Sequence, residues 1–234
     1  MGVRRTDRFG FSGATLKWLA CACMLCDHLF KALVLPYPYV FQICGRLAFP
    51  LFAFLVAEGA AYTRSFPKYL LRVVAFALLS EMPFDLAFFG RYWYLGHQNV
   101  FFTFLLALPV LWLLRLSIER NRRLALGIPP ALGIACLAAA LLHTDYNISG
   151  VLCVFTFALV RLLPPQWRFV GGIGIALTAL LNDNPVQAWA LLALPLILLY
   201  NGKRGRGGKW LQYGCYLFYP VHLFGLFLIR YIFL

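Results

Sequence analysis

Carboxylates are scarce in this sequence: eight Asp and Glu stand against 21 Lys and Arg in 234 residues. Charged residues of both signs make up only 12% of the chain, about half of what soluble domains carry, while 62% of it is hydrophobic. That balance excludes an ordinary soluble domain and points to a polytopic membrane protein. A hydrophilic stretch of domain length is also missing. The longest polar segments, 115–123 and 201–209, are loop-sized, so a single integral-membrane domain over 1–234 is expected. A disulfide framework is missing too, because all seven cysteines (Cys21, Cys23, Cys26, Cys44, Cys136, Cys153, Cys215) fall within apolar runs. The CxCxxC spacing scatters its thiols around a helix and does not make a metal site. The basic N-terminus (Arg4, Arg5, Arg8) precedes an apolar run of about 20 residues that contains Asp27 and His28 and lacks an A-x-A cleavage site. It reads as an uncleaved first span.

What is present is a series of apolar runs punctuated by proline and glycine. With about 20 residues per crossing and some tolerance for tilt, nine transmembrane helices are expected. They cover 14–35, 39–62, 68–89, 98–117, 124–143, 147–163, 168–182, 185–200 and 210–234, the sixth to eighth being short enough to merge or re-enter. Pro36-Tyr37-Pro38, Pro164-Pro165 and Asn184-Pro185 mark connections, whereas Pro129-Pro130 and Pro195 are expected to kink helices. No internal repeat is visible. With the N-terminus cytoplasmic, nearly all basic residues fall on the inner side. Only Lys31, Arg91 and Arg230 lie outside, and Arg46 lies within a span. The positive-inside rule therefore sets an all-α bundle with its N-terminus in and its C-terminus out. The basic charge belongs to loops, which argues against nucleic acid as a partner.

All the acids except Asp7 and Glu119 lie inside or at the mouths of these runs, where a carboxylate costs several kcal/mol unless paired or hydrated. In the first span, Lys17 and His28 are eleven residues apart, so they share a stripe, separated by roughly 16 Å along the axis. A cation near the inner surface and an imidazole near mid-membrane can flank one elongated ligand; a snorkelling lysine and an interhelical histidine are the bland alternatives. Arg46 needs an anion, and Glu81 and Asp85, on one face of the third span, are its candidate partners. Glu58, near the inner end of its span, is expected to pair with Arg64 or Arg72. Asn99 and Thr103 share a face as interhelical hydrogen-bonders, and Asp145 or Asn147 is placed to cap the next helix. Asp183 sits at an outer helix end. His222, beside Tyr219 and Pro220, matches the depth of His28, which suggests a shared cavity.

The segments LKWLACACMLCDHLFK, GRLAFPLFAFLVAEGAAYTRSFPKYLLR, ALLSEMPFDLAF, DYNISGVL and YLFYPVHL together resemble the TraX family of bacterial inner-membrane proteins, over about residues 15 to 225. That family is associated with conjugation and with N-terminal acetylation of pilin. The resemblance implies an acetyltransferase that takes its acyl group from acetyl-CoA, with no metal. The chain is also similar, more distantly, to the membrane acyltransferase-3 family, which O-acylates envelope glycans and carries a basic residue, ten intervening residues and a histidine in its first span. Lys17 and His28 match that spacing. The resemblance then implies His28 as catalytic base and Lys17 as a coenzyme contact. An Arg-x-x-Arg coenzyme motif is lacking, and Arg64, Lys68 and Arg72, spaced by four, stand in its place.

The expected mechanism has coenzyme phosphates meeting Lys17, Arg64, Lys68 and Arg72 from the cytoplasm, and His28 deprotonating the acceptor. Asp27 or Glu81 is expected to orient His28, and Arg46 or Asn99 to hold the oxyanion. His222 is placed to relay a proton or position the acceptor, with Asp85, Thr103, Tyr219 and Glu58 in support. The acceptor is a pilin-like amine by resemblance, or else an envelope glycan or lipid. A proton-coupled transporter is the alternative of another class, since buried Asp, Glu and His also form proton relays. A non-catalytic assembly factor is a further alternative.

Overall fold

The computed structural model describes residues 10–33, 39–182 and 184–233. Arg4, Arg5, Asp7 and Arg8, the Pro36-Tyr37-Pro38 connection and Asp183 lie outside the described residues. Ten α-helices follow one another among the described residues: α1 (Gly13–Leu33), α2 (Tyr39–Arg46), α3 (Ala48–Tyr62), α4 (Phe66–Phe89), α5 (Val100–Glu119), α6 (Ile128–Leu141), α7 (Asn147–Val160), α8 (Gly171–Leu180), α9 (Ala193–Leu198) and α10 (Gly208–Phe233). Three 3₁₀ stretches, Arg122–Gly127, Pro165–Val170 and Pro185–Leu192, lead directly into α6, α8 and α9. With these lead-ins, and with α2 and α3 taken together, the helical segments match the nine expected ones in order and to within a few residues at each end.

The number of crossings is a coarser matter. Tyr39–Tyr62, Val100–Glu119, Arg122–Leu141 and Trp210–Ile232 are long and apolar enough to cross a membrane, whereas Asn147–Val160 and Pro185–Leu198 are apolar but short. Helices α1 and α4 have the length, at 21 and 24 residues. Their composition is broken by Lys17, Asp27 and Lys31 in the first and by Lys68, Arg72, Glu81 and Asp85 in the second. The structure is thus a helical bundle with four clear membrane-spanning candidates, and the two helices that fall short on polarity carry Lys17, Asp27 and His28 in the first and Lys68, Arg72, Glu81 and Asp85 in the second.

Two local breaks have sequence causes. The second expected span divides at Leu47 because Pro50 lacks an N–H and its ring crowds the carbonyl four residues back, at Arg46. This leaves Arg46 at the end of α2. Pro129 and Pro130 do not kink a helix as expected. Pro129 stands in the first turn of α6, where an N–H has no intrahelical acceptor in any case. Pro195 likewise lies at the start of α9, just after a 3₁₀ lead-in.

α10 packs on α4 and α1, α3 on α1 and α7, and α7 on α8. Small residues permit these close approaches: Ala20, Ala53, Ala77, Ala87 and Ala107 are fully buried at the crossings. Leu71, Leu78 and Leu79 of α4, with Ile134, Leu137 and Leu141 of α6, point outward as a lipid-facing surface requires. At one end the chain is strapped. Phe11 N–H donates to the Leu199 carbonyl at 2.8 Å, and Gly13 and Ala14 N–H donate to the carbonyls of Lys203 (2.8 Å) and Arg204 (2.9 Å). Donors of the first α1 turn, which have no partner within the helix, are thereby satisfied by the loop that precedes α10.

Candidate active site

Eleven residues of α1 carry Lys17 and His28 to the same side of the helix, and α10 crosses α1 to meet it. There His28 Nδ1 lies 2.7 Å from His222 Nε2, with the two rings nearly parallel. The other ring nitrogen of His222, Nδ1, lies 2.6 Å from the Phe218 carbonyl oxygen. A carbonyl can only accept, so His222 Nδ1 holds a proton there. In the neutral pair His222 Nε2 is then an acceptor, and His28 Nδ1 must be the donor. The remaining nitrogen of His28, Nε2, is left with a free lone pair. Phe88 and Tyr219 meet the His28 ring edge-on, at centroid distances of 5.3 and 5.8 Å. Both histidines are buried. The structure therefore brings together the two histidines of matching depth, 194 residues apart.

The carboxylates do not orient them. Asp27 is expected at His28, but its side chain turns to Arg46 Nη2 and to Lys31 Nζ at 2.8 Å. The reason is geometric: neighbours on a helix point about 100° apart, so Asp27 faces α2 while His28 faces α10. Gly45 makes room for the pair, since a Cβ there would overlap Asp27. Glu81, the other candidate, accepts from the N–H and the side-chain amide of Asn99. Asp85 accepts from Tyr94 N–H at 2.7 Å. Neither acid pairs with Arg46; both tie α4 to the segment that leads into α5. The expected oxyanion donors are also committed. Arg46 Nη1 donates to Gln187 at 3.2 Å, and the Asn99 amide serves Glu81 and the Ala77 carbonyl. Gln187 was not anticipated, although a lone amide within an apolar run is a signal that could have marked it; it is buried and also donates to Thr178.

Further corrections concern the helix ends. Thr103 donates to the Asp145 carbonyl rather than across to a neighbouring side chain. α7 begins after Tyr146, a left-handed residue (φ 62°) without a side-chain cap; Asp145 does not cap it, whereas Asn147 Oδ1 accepts from the first-turn Ile148 N–H at 2.8 Å, as one of the two expected alternatives had it. Asp145 instead faces His97 Nε2 at 3.9 Å in the loop before α7. Burial resists its ionisation, but the His97 ring and the nearby Lys31 outweigh that and hold its carboxyl below the usual carboxylate range. Glu58 pairs with Arg161, not with Arg64 or Arg72.

That last pairing leaves Arg64, Lys68 and Arg72, at the α3–α4 connection, without an acid partner among the described residues. A cavity of about 810 Å³ opens there, lined by Lys17, Arg64, Lys68, Arg72 and Arg204 together with one acid, the Arg161-paired Glu58. Among the described residues none of the five makes a salt bridge with an acid. A second, narrower cavity of about 140 Å³ adjoins it and shares Lys17, Leu55, Gly59, Tyr69 and Gln212 as walls. Its other walls are apolar and aromatic, including Phe52, Val73 and Phe101, and it reaches Tyr219. Tyr219 is the residue in edge-on contact with both histidine rings. A wide cationic mouth thus adjoins a thin, largely apolar slot that ends at Tyr219, beside the two histidine rings. At the waist between the two, Tyr69 rests against Gly59, where an added Cβ would lie 2.9 Å from the Tyr69 hydroxyl. Arg72 stacks over the Tyr69 ring at 5.6 Å.

Comparison with known proteins places this geometry in context. The family model described as TraX protein matches residues 12–230, which takes in every residue of the mouth, slot and histidine pair. The chain is 30% identical, over 91% of its own length and 93% of the relative's, to the probable fimbrial assembly protein FimC, serogroup H1, of Dichelobacter nodosus. No solved structure matches.

Proposed function

The chain belongs to the TraX family, and we propose that it is a membrane-embedded acetyltransferase which moves an acetyl group from acetyl-CoA to an amine of a pilin-like protein. One observation carries the reading: a cationic mouth whose single acid, Glu58, is paired with Arg161 adjoins a largely apolar slot that ends at Tyr219, the ring in contact with both histidines. The mouth has the size and charge for a phosphate-rich nucleotide, and arginine and lysine suit phosphate through charge and directed donors. The slot suits a thin, largely uncharged arm. Lys17 and His28 are roughly 16 Å apart along α1, a span that an extended pantetheine arm can bridge.

At the inner end the acceptor nitrogen attacks the thioester carbonyl carbon, forming the C–N bond. His28 Nε2 takes the proton released from nitrogen. Collapse of the tetrahedral intermediate breaks the C–S bond, and His28 returns that proton to the departing sulfur. Tyr219, at the end of the slot and with its ring beside both histidines, takes the place of Arg46 and Asn99 as the hydroxyl donor for the oxyanion. Arg46 and Asp27 act as a structural tie. The mouth faces the cytoplasm of a bacterial cell, with the protein in the inner membrane, its N-terminus in, and the polar ends of α4 and α6 outside. The fimbrial assembly role in the relative's name supports a pilin-like acceptor, and its hydrophobic segment can approach the site through the lipid.

The test is turnover of acetyl-CoA by the purified protein with a pilin N-terminal peptide, set against His28→Ala. The variant is expected to bind coenzyme normally and to lose about 10²–10⁴-fold in kcat. Absence of coenzyme binding by the wild type, or full activity in the variant, overturns the reading.

A further inference from the structure

We infer that His222 is the positioning residue for His28, fixing its tautomer and aim through a histidine–histidine–carbonyl chain in place of a carboxylate. The inference rests on the acetyltransferase reading for its catalytic meaning, but the geometry behind it is separate. Two hydrogen bonds in series, 2.7 and 2.6 Å, run from His28 Nδ1 to His222 and from His222 to the Phe218 carbonyl. Only one arrangement of protons satisfies both with neutral rings: Nδ1–H on His28 and Nδ1–H on His222. The carbonyl at the far end acts as the latch that fixes this arrangement, because it cannot donate.

Among the described residues no other hydrogen bond to the His28 ring is present, and Phe88 and Tyr219 meet it edge-on. Asp27, its neighbour in sequence, is occupied by Arg46 and Lys31. Loss of His222 therefore frees the ring to exchange tautomers, and with Nδ1 bare the proton moves to Nε2, the atom that must accept the acceptor's proton. The cost falls on the chemical step and not on coenzyme binding, whose residues lie at the mouth.

His222→Phe keeps a ring of similar volume but removes the acceptor, and His222→Gln supplies a carbonyl oxygen able to take the His28 proton. We expect the phenylalanine variant to lose about 10²-fold in kcat with an unchanged KM for acetyl-CoA, and the glutamine variant to regain most of it. Equal losses in the two variants, or no loss in either, overturn the inference. The ring-nitrogen resonances of ¹⁵N-histidine-labelled protein supply a readout that needs no turnover. Wild-type His28 should carry its proton on Nδ1 and shift toward Nε2–H in His222→Phe; an unshifted tautomer overturns the inference even with an active enzyme. If the wild type shows no turnover but the tautomer shift is present, the acetyltransferase reading has failed and the positioning role stands.

Discussion

The bundle contains two polar regions that treat charge in opposite ways. Around Asp27, Arg46 and Lys31, and again around Glu81 with Asn99 and Asp85 with Tyr94, buried acids meet cations, amides or backbone donors from other elements. At the mouth, five cations line one cavity and the nearby acid, Glu58, is taken by Arg161. Buried charges in an apolar bundle are tolerated when matched, because an unpaired charge there costs more than the pair gains. Cations left without acids around an open cavity can be solvated while it is empty, and they await an anion. Matching marks the first region as a structural tie, and the lack of matching at the second is what the proposed coenzyme site rests on.

The strongest way to break this distinction is to remove one side of the matched region. Arg46→Met should destabilise the protein by about 3–5 kcal/mol, read as a fall in the thermal unfolding midpoint in detergent, because Asp27 loses its buried partner. Replacing both groups, Asp27→Leu with Arg46→Met, should recover part of that loss. A double variant no better than the single one would mean that packing, not charge matching, sets the cost. Next in size, Arg64→Ala with Lys68→Ala should weaken coenzyme binding by about tenfold or more, most visibly at low salt, while unfolding shifts by less than about 0.5 kcal/mol. Titration calorimetry that finds unaltered affinity alongside lost stability would move the mouth into the structural class. The smallest effect is expected at the waist. Gly59→Ala presses on the Tyr69 hydroxyl and should raise the KM for acetyl-CoA about two- to fivefold with kcat nearly constant. A change in kcat alone would place the obstruction at the histidine pair.

Much of the architecture could be read from the sequence because apolar runs and their proline and glycine breaks are local signals. The helical segments therefore lie where hydropathy places them. The Lys17–His28 stripe was legible for the same reason, being a property of one helix. Which helix faces which was not. Depth along a span puts Asp27, Glu81 and Asp85 at the same mid to outer level as His28, Arg46 and His222, but it does not say which of them touch. The Asp27–Arg46 pairing depends on the Pro50 break and on the space at Gly45, and both act only once α1 and α2 are side by side. Gln187 and the Phe218 carbonyl escaped for a related reason: an amide or a carbonyl becomes informative only when its neighbour is known.

The junction of α1 with α10 has a consequence for how the molecule is made. His28 is laid down early in synthesis and its partner His222 nearly two hundred residues later, so most of the bundle must be threaded into the bilayer before the proton chain can close. A ribosome that stops short of α10 leaves a product with the cationic mouth residues of α1 and α4 and the histidine of α1, but without its aim. For the proposed acetyl transfer, truncated products should therefore be inert toward the thioester, so that completion of the last helix sets when that chemistry can begin.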